Sequence, residues 1–271
     1  MRLVARRHHL QMSIGAPPMH VYLFGRPVSP CRPRASGHCP VFLIGAYPSA
    51  LHVRWKAPDW ERPVRAVAVD NEPEPFWDGL DEDTRILAWK ASIGFSAEAG
   101  DVTRCGRLNG SSGAWVRDRV LCPLKVERSN VWITDCLDTY FESDSAKSAL
   151  QAPHVLRAIA DYGIAPANHR PHPSEAAIVE ESLRLHSKRL LTEIEEANAD
   201  LLITLGNAAL KVVRALTSAS GPTRLDHNPS TYGARASVSV LGHSVEWISL
   251  AHPAAPSPYQ RVHDRWLRAQ N

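Results

Sequence analysis

Four short apolar runs along the chain each end in a loop of polar or turn-forming residues. A run of this kind bounded by turn residues is typical of a buried strand. Residues 41–44 lead into Gly45-Ala46-Tyr47-Pro48-Ser49, residues 130–133 into Thr134-Asp135, residues 201–205 into Gly206-Asn207, and residues 245–250 into Ala251-His252-Pro253. Because ligands bind beyond the carboxyl ends of parallel strands, we expect these loops to meet at one edge of a sheet and form a site.

Predicted helices alternate with these runs. The clearest helix opens at Pro173-Ser174-Glu175, where Ser174 is a typical N-cap and acidic residues occupy the first turn. Further helices are expected at residues 81–93, 114–121, 154–161 and 208–216, whereas the rest of residues 57–128 is rich in proline and glycine and is expected to form loops. Strands that alternate with helices favour an α/β fold with a parallel sheet covered on both faces.

The composition narrows the class of protein. With 44% hydrophobic and 22% charged residues, the chain of 271 residues is typical of a soluble globular protein. No apolar stretch approaches the roughly 18–20 residues that a membrane span needs. The five cysteines are odd in number and include no Cys-x-x-Cys pair, which favours reduced thiols. We therefore expect a cytoplasmic protein that contacts no membrane and, since its 13 histidines lack ligand spacing, binds no metal.

Residues 1–39 are expected to form a basic, proline-rich leader ahead of a domain over residues 40–271. The leader contains no acidic residue, and its arginines are Arg2, Arg6, Arg7, Arg26, Arg32 and Arg34. A segment of this composition is suited to contact nucleic-acid phosphates, and it is equally typical of a solvated tail. Translation from Met12 or Met19 would remove part of it.

Taken in order, the loop motifs resemble those of the uracil-DNA glycosylase superfamily. The similarity covers residues 40–260 and is carried by Gly45-Ala46-Tyr47-Pro48-Ser49, Ile133-Thr134-Asp135, Arg170-Pro171-His172-Pro173-Ser174-Glu175 with Leu205-Gly206-Asn207-Ala208-Ala209-Leu210, and Ala251-His252-Pro253-Ala254-Ala255. The third of these is most similar to the iron–sulfur branch. The resemblance implies a three-layer α/β/α sandwich on a four-stranded parallel sheet. It also implies that the partner is double-stranded DNA, whose damaged nucleotide is flipped out before the bond from base to sugar is hydrolysed.

The chain departs from the iron–sulfur branch at its cysteines. One position that aligns with a cluster-binding cysteine carries Thr139, and another falls near Val179. Cys105 and Cys122 are far enough apart in sequence, but two thiolates do not hold a cluster that needs four. We therefore expect no iron–sulfur cluster and no other cofactor.

A second departure concerns the residue that positions the attacking water. The first motif of the superfamily usually carries an acidic or amide side chain, and this chain has Ala46 and Tyr47 there. Asp70 and Asn71, with the adjacent Glu72, are candidate catalytic replacements, or they form a solvated turn.

The third departure is Asp135, which stands where the resemblance implies an asparagine that reads the base. An ionised aspartate only accepts hydrogen bonds, so it opposes O4 of uracil and suits the N4 amine of cytosine. Ser49 stands where the uracil enzymes have a bulky tyrosine that closes the C5 side of the pocket. Together these residues predict a cytosine with a C5 substituent, such as hydroxymethyl or glucosyl-hydroxymethyl. Alternatively, Asp135 caps the turn after its strand.

The remaining site roles follow from the same resemblance. His252 is expected to donate a hydrogen bond to O2 as charge develops on the departing base, or it is structural. Phe76 or Trp77 is expected to stack on the base, unless both belong to the core. The predicted base pocket comprises Gly45, Ala46, Tyr47, Pro48, Ser49, Phe76, Trp77 and Asp135, and the predicted DNA-binding residues are Gly206, Asn207, Pro253, Ala254, Ser257 and Arg261. Arg261 is alternatively a solvated helix residue.

The leading hypothesis is a monofunctional DNA glycosylase that excises a C5-modified cytosine from foreign or phage DNA and leaves an abasic site. No lysine occurs in the matched motifs to form a Schiff base, so no lyase step is expected. One alternative is a uracil or hypoxanthine repair glycosylase whose Asp135 is protonated or rotated away. A non-catalytic binder of modified DNA and a small-molecule α/β enzyme are the others. No obligate protein partner is expected.

Overall fold

The computed structural model describes residues 19–270, and this part of the chain contains ten strands. They are β1 (Val41–Gly45), β2 (Ala50–Lys56), β3 (Val64–Asn71), β4 (Asp101–Arg104), β5 (Val131–Asp135), β6 (Phe141–Glu142), β7 (Arg170–Pro171), β8 (Leu201–Leu205), β9 (Ala236–Val240) and β10 (His243–Leu250). The central sheet has the order β5-β1-β8-β10-β9. The first four of these strands are mutually parallel, which confirms the α/β class.

The central sheet has five strands rather than the four expected, because β9 pairs antiparallel with β10 at one edge. The two strands are joined by Leu241 and Gly242, whose φ angles are 50° and 87°. A two-residue turn with positive φ at both positions matches the twist of a hairpin. The alternating sequence Ala236-Ser237-Val238-Ser239-Val240 buries its valines, as is typical of a strand with one solvent-exposed face.

Helices cover both faces of this sheet. The eight α-helices in the described residues are α1 (Glu82–Ile93), α2 (Ser111–Val116), α3 (Asp144–Leu150), α4 (Pro153–Asp161), α5 (Glu175–Glu181), α6 (Ser187–Ala197), α7 (Gly206–Thr217) and α8 (Ser257–Gln270). Along β1, Phe42 and Ile44 pack on the side of α5, α6 and α7, whereas Val41 and Leu43 pack on the side of α2 and α8. This alternation is the two-residue side-chain period of a strand buried on both faces.

The four predicted helices at residues 81–93, 114–121, 154–161 and 208–216 are confirmed as α1, the end of α2 with the π-helical turn after it, α4 and α7. The predicted helix that opens at Ser174 is also confirmed, and the Ser174 hydroxyl accepts a hydrogen bond from the Ala177 backbone nitrogen at 3.2 Å. A π-helical turn, Ser182–His186, joins α5 to α6.

A second sheet occupies part of the region expected to form loops. Strands β3, β2 and β4 form an antiparallel three-stranded sheet, and its core includes Trp55, Val67, Val69 and Trp89. Its strands β3 and β4 lie within residues 57–128, so the expectation of loops there was wrong in part. The many prolines and glycines surround the strands and concealed the alternating pattern of Val64–Asn71.

Part of the predicted leader packs against the rest of the chain. Tyr22 and Leu23 are 0% exposed, and Tyr22 belongs to a small apolar cluster with Ala50 and Tyr140. Residues 1–18 lie outside the described residues, and with them Arg2, Arg6, Arg7 and the predicted phosphate contacts of that segment.

Cysteines, metal ligands and membrane spans can be assessed for residues 19–270. The five cysteines are free, and four of them are buried. No three His, Cys, Asp or Glu side chains lie together in this part of the chain as a metal site. None of its helices has the length and apolar character that crossing a membrane requires.

Candidate functional site

The loops after β1, β5, β8 and β10 meet in one cavity of about 550 Å³. Parallel pairing brings this about, because Gly45 is in register with Asp135 and Leu205 with Leu250, so the four strands end together. The predicted residues that line the cavity are Ala46, Tyr47, Pro48, Ser49, Phe76, Asp135, Gly206, Asn207, His252 and Ala254. The predicted meeting of these loops at one sheet edge is therefore confirmed.

Gly45 does not itself line the cavity. Its lack of a side chain allows two residues that do line it to approach each other closely. A Cβ atom at this position would lie 2.3 Å from Asp135 Oδ1 and 2.5 Å from the Phe76 ring. Any side chain here would displace both groups. Glycine at the end of β1 thus sets the close approach of the carboxyl group and the aromatic ring.

Asp135 ends β5 with its carboxyl group in the cavity wall and only 3% of the residue exposed. Neither carboxyl oxygen has a hydrogen-bond partner among the described residues. Arg189 lies close by, but it donates to the main-chain carbonyl oxygens of Asp135 at 2.8 Å and Cys136 at 2.9 Å. The arginine therefore holds the end of the strand and makes no hydrogen bond to the carboxyl group.

Burial raises the pKa of Asp135 to about 8, and the positive charge of Arg189 opposes this shift only in part. Desolvation is the cause, because removing water disfavours the charged form of an acid. At neutral pH the group is mainly a carboxylic acid, with one hydrogen-bond donor as well as an acceptor. The structure thus departs from the expected ionised, acceptor-only Asp135.

Glu72, which follows β3, is the second buried carboxyl group of the cavity. Its Oε1 accepts a hydrogen bond from the Ser49 backbone nitrogen at 2.9 Å. Burial and the nearby Asp135 both raise the pKa of Glu72. This contact ties the loop after β1, which carries the small residues Ala46 and Ser49, to the end of β3.

Asp70 and Asn71 do not line the cavity, in contrast to the sequence-based expectation. Asp70 pairs with Arg26 at 2.9 Å, and the Asn71 side chain accepts a hydrogen bond from the Tyr22 hydroxyl at 3.1 Å. Both side chains thus hold the segment that contains Tyr22, which sequence analysis treated as a separate leader. Of the three polar residues in that cluster, Glu72 is the one that reaches the site.

His252 follows β10 and is held as a neutral ring with a defined proton position. Its Nδ1 accepts a hydrogen bond from the Ala254 backbone nitrogen at 3.2 Å, which leaves the proton on Nε2. Burial lowers the pKa of His252 to about 4, so the ring stays neutral near pH 7. Gln260 secures the loop by donating from its amide to the carbonyl oxygens of His252 at 3.2 Å and Pro253 at 3.0 Å.

A buried chain of hydrogen bonds fixes the residue before His252. The Ala251 backbone nitrogen donates to the Tyr232 hydroxyl, which contacts His263 Nδ1 at 2.7 Å, and His263 Nε2 lies 3.1 Å from the Arg119 carbonyl oxygen. The carbonyl can only accept, so His263 carries its proton on Nε2 and accepts from Tyr232 at Nδ1. Tyr232 and His263 were not among the predicted site residues, because no local sequence pattern links them to the site.

The two candidate stacking residues have different environments. Phe76 lines the cavity with a φ of 54°, and its ring centroid lies 6.1 Å from that of His252. Trp77 does not line the cavity: it is buried in the core of the second sheet and donates to Asp81 Oδ1 at 2.7 Å. The assignment of Trp77 to the base pocket was therefore wrong, and Phe76 remains the aromatic candidate.

The predicted DNA-binding residues lie at and beyond the rim of the cavity. Gly206, with a φ of 85°, begins α7, and Asn207 Oδ1 accepts from the Leu225 backbone nitrogen at 2.7 Å, which holds the loop after α7. Pro253, Ser257 and Arg261 do not line the cavity. Arg261 is exposed on α8 and donates to Ser257 Oγ at 2.6 Å. Its guanidinium is accessible to a phosphate outside the cavity.

Three further polar residues of the cavity wall were not among the predicted site residues. His52 on β2, Tyr140 and His172 line the cavity, and the Tyr47 hydroxyl contacts His172 Nδ1. His52 Nδ1 is buried without a hydrogen-bond partner among the described residues, and burial lowers the pKa of His52 to about 4. Strand β2 was not predicted, so nothing in the sequence associated His52 with the loops of the central sheet.

No protein-family model matches this chain, and no curated protein matches it either. The geometry of the cavity is accordingly the basis for a functional assignment.

Proposed function

We propose that the chain is a DNA glycosylase of the uracil-DNA glycosylase type, which hydrolyses the bond between a flipped pyrimidine and its sugar. The observation that carries this proposal is a buried, unpartnered Asp135 carboxyl group in the same cavity as a neutral His252. Buried polar groups are normally hydrogen-bonded, so a carboxyl group without a partner is suited to a polar ligand. The cavity of about 550 Å³ lies within the range of about 300–1,000 Å³ that is usual for small-molecule pockets.

Neutral His252 is suited to stabilise the departing base. When the glycosidic bond breaks, negative charge develops on the base and concentrates on O2. A donor that is already oriented and already neutral stabilises this charge without reorganisation. The hydrogen bond that Nδ1 accepts leaves Nε2–H to fill this role.

Glu72 is suited to orient the attacking water, the role for which Asp70, Asn71 and the adjacent Glu72 were the candidates from the sequence. Its Oε1 is occupied by the Ser49 backbone nitrogen, and no hydrogen bond to Oε2 is found in the described residues. An oxygen of this kind can accept a hydrogen bond from water in either protonation state. Glu72 thereby replaces the acidic or amide residue that the first loop lacks.

A C5-modified cytosine is the substrate that the cavity wall supports best. The carbonyl oxygen of Asp135 can accept from the N4 amine of cytosine, the contact expected between a carboxyl group and this base. Ala46 and Ser49 are small and leave room beside the ring. Because removal of unmodified cytosine would damage the cell's own genome, the C5 group is what marks foreign DNA for attack.

A second candidate is uracil removal in base-excision repair, and the raised pKa of Asp135 favours it. A carboxylic acid can donate to O4 of uracil and accept from its N3–H, so a neutral Asp135 no longer opposes this base. The two candidates differ only in the base that is excised.

End-labelled duplexes that contain one uracil, cytosine, 5-hydroxymethylcytosine or glucosylated 5-hydroxymethylcytosine test the proposal, with alkali cleavage to reveal abasic sites. We expect cleavage at a modified cytosine by the native protein and none by Asp135→Ala or His252→Ala. Cleavage at uracil alone would favour repair. Binding to a modified duplex without any abasic site would show a binding protein instead of an enzyme.

A further inference from the structure

The neighbourhood of the Asp135 carboxyl group supports a proton on it. Both oxygens are buried and have no hydrogen-bond partner among the described residues. Arg189 directs Nη1 to Thr134 Oγ1 at 3.1 Å and Glu193 Oε1 at 3.0 Å and Nη2 to main-chain carbonyl oxygens, and its Nε donates to no described residue. A buried charge without a hydrogen-bonding partner is costly, and a group in this position takes up a proton instead.

The charges around Asp135 offset its burial only in part, because Arg189 favours the carboxylate and Glu193 disfavours it. The titratable or charged residues that interact with it are Arg189 and Glu193 on α6, Glu72 after β3, Tyr47 after β1, Cys136 after β5, and Cys31. Arg189 is the one cation of this set, and its charge is shared with Glu193. Glu193 opposes a negative charge at Asp135, and a charge at Asp135 in turn raises the pKa of Glu72.

A carboxylic acid at this position matches the edge of cytosine in both of its contacts. Cytosine offers the N4 amine as a donor and the N3 lone pair as an acceptor, and a carboxylic acid offers one acceptor and one donor side by side. We infer that Asp135 is the general acid of the reaction and transfers its proton to N3 of the departing cytosine. This inference rests on the proposed function and assigns a further step to the same site.

Atoms and charge balance in this proton transfer. The bond between C1′ and N1 breaks and its electron pair stays on the base, while the Asp135 proton moves to N3, so the base leaves as a neutral N3–H tautomer. Water adds hydroxide to C1′, and its remaining proton restores the acid form of Asp135, so that both carboxyl groups end the reaction as they began it. His252 stays neutral throughout and donates to O2.

The consequence is a chemical criterion for the substrate. The N3 atom of uracil already carries hydrogen and has no lone pair in the ring plane to accept the Asp135 proton. Amino-pyrimidines have that lone pair. A site of this kind therefore discriminates in the transition state, where only a base with a free N3 receives general-acid assistance.

Asp135→Asn separates proton transfer from recognition. The amide is isosteric and keeps one donor and one acceptor for N3 and N4, but it has no acidic proton to give. We expect single-turnover excision of the modified cytosine to fall by about 10²- to 10⁴-fold, the usual contribution of general acid–base catalysis. Binding to a duplex with a 2′-fluorinated, cleavage-resistant analogue should change by less than about threefold, because both hydrogen bonds are kept. Asp161→Asn, the same change at an exposed residue of α4, is the matched control.

Three outcomes would overturn the inference, and they are distinguishable. Unchanged excision by Asp135→Asn shows that no proton passes from this residue, while the proposed function stands. Equal losses of binding and rate show that Asp135 only reads the base. Absence of abasic sites with the native protein on every cytosine duplex overturns the proposed function itself.

The pH dependence gives a second, independent readout. With DNA well below saturation the native rate should fall with a single-proton limb above about pH 8, where Asp135 of the free protein loses its proton. Asp135→Asn should lack that limb. A native rate that is flat or rises through this range contradicts a general-acid role.

Discussion

The Tyr232 hydroxyl oxygen lies 2.7 Å from the backbone nitrogen of Ala251 and accepts its hydrogen bond. Ala251 is fully buried and directly precedes His252, so one phenol from a distant segment fixes the main chain that carries the histidine. Tyr232 in turn donates to His263, whose burial lowers its pKa to about 4 and keeps the ring a neutral acceptor.

Tyr232→Phe should weaken both the fold and the site. It leaves the buried Ala251 N–H without an acceptor, a loss of about 1–3 kcal/mol in the free energy of unfolding. It also loosens His252, so excision should fall on the order of 10- to 100-fold. Denaturant unfolding and single-turnover assays measure these effects. Tyr162→Phe, whose hydroxyl meets Asp59 at the surface, is the control. An excision rate in Tyr232→Phe equal to that of the native protein would show that Tyr232 does not position His252.

His252→Ala should raise the barrier by about 3–4 kcal/mol, comparable to the loss of an oxyanion donor. Because burial lowers the pKa of His252 to about 4, the native rate should not decline between pH 7 and pH 5 through protonation of this ring. Single-turnover rates across this range test both points, with the exposed His243→Ala as control. A native acid limb near pH 6.5 would contradict a permanently neutral His252.

Glu72→Gln keeps an oxygen for the Ser49 backbone nitrogen and removes the acid. We expect the loop after β1 to stay in place and the excision rate to fall by about 10²-fold, since the carboxyl group that we propose orients the water is lost. Rates at saturating DNA report the loss. Glu195→Gln, on the exposed side of α6, is the matched change. Full activity in Glu72→Gln would show that the Glu72 carboxyl group does not orient the attacking water.

Because the pKa of Asp135 is raised in the folded state, the free energy of unfolding should fall as pH rises. Burial raises the pKa of Asp135 to about 8 in the folded state, whereas the unfolded state releases the proton near the ordinary pKa of 3.8. Between these values the folded state binds more protons, so the free energy of unfolding falls with increasing pH, and the penalty is complete above about pH 8. Asp135→Asn removes a cost on the order of a few kcal/mol at high pH and almost none at pH 3.5. Thermal unfolding at several pH values tests this, with Asp161→Asn alongside. A pH-independent difference between Asp135→Asn and the native protein would contradict the raised pKa.

Ser49→Tyr should narrow the cavity beside the base. A phenol at this position is expected to reduce excision of glucosylated 5-hydroxymethylcytosine more than that of 5-hydroxymethylcytosine, because only the larger group needs the space. The ratio of the two rates is the relevant measurement, and Ser49→Ala should leave it close to the native value. An unchanged ratio in Ser49→Tyr would mean that the C5 group points elsewhere.

Local sequence patterns were sufficient to predict the four parallel strands of the central sheet and most of the helices. The apolar runs that became β1, β5, β8 and β10 are buried on both faces, and such runs are visible without knowledge of their neighbours. Strands β2, β3 and β4 escaped notice because proline and glycine interrupt their surroundings and their pairing partners are distant in sequence. That omission also concealed His52, and it left no means of telling that Glu72, rather than Asp70 or Asn71, enters the cavity.

The sequence by itself determined the α/β class and the gathering of four loops at one sheet edge, because strand periodicity and parallel pairing are properties of short segments. Tertiary structure alone decided which polar residues enter the cavity and in which protonation state. Asp70 faces Arg26 whereas Glu72 faces the site, and burial raises the pKa of Asp135, which was expected to be ionised, to about 8. Burial sets pKa values, and burial is a sum over residues that are far apart in sequence.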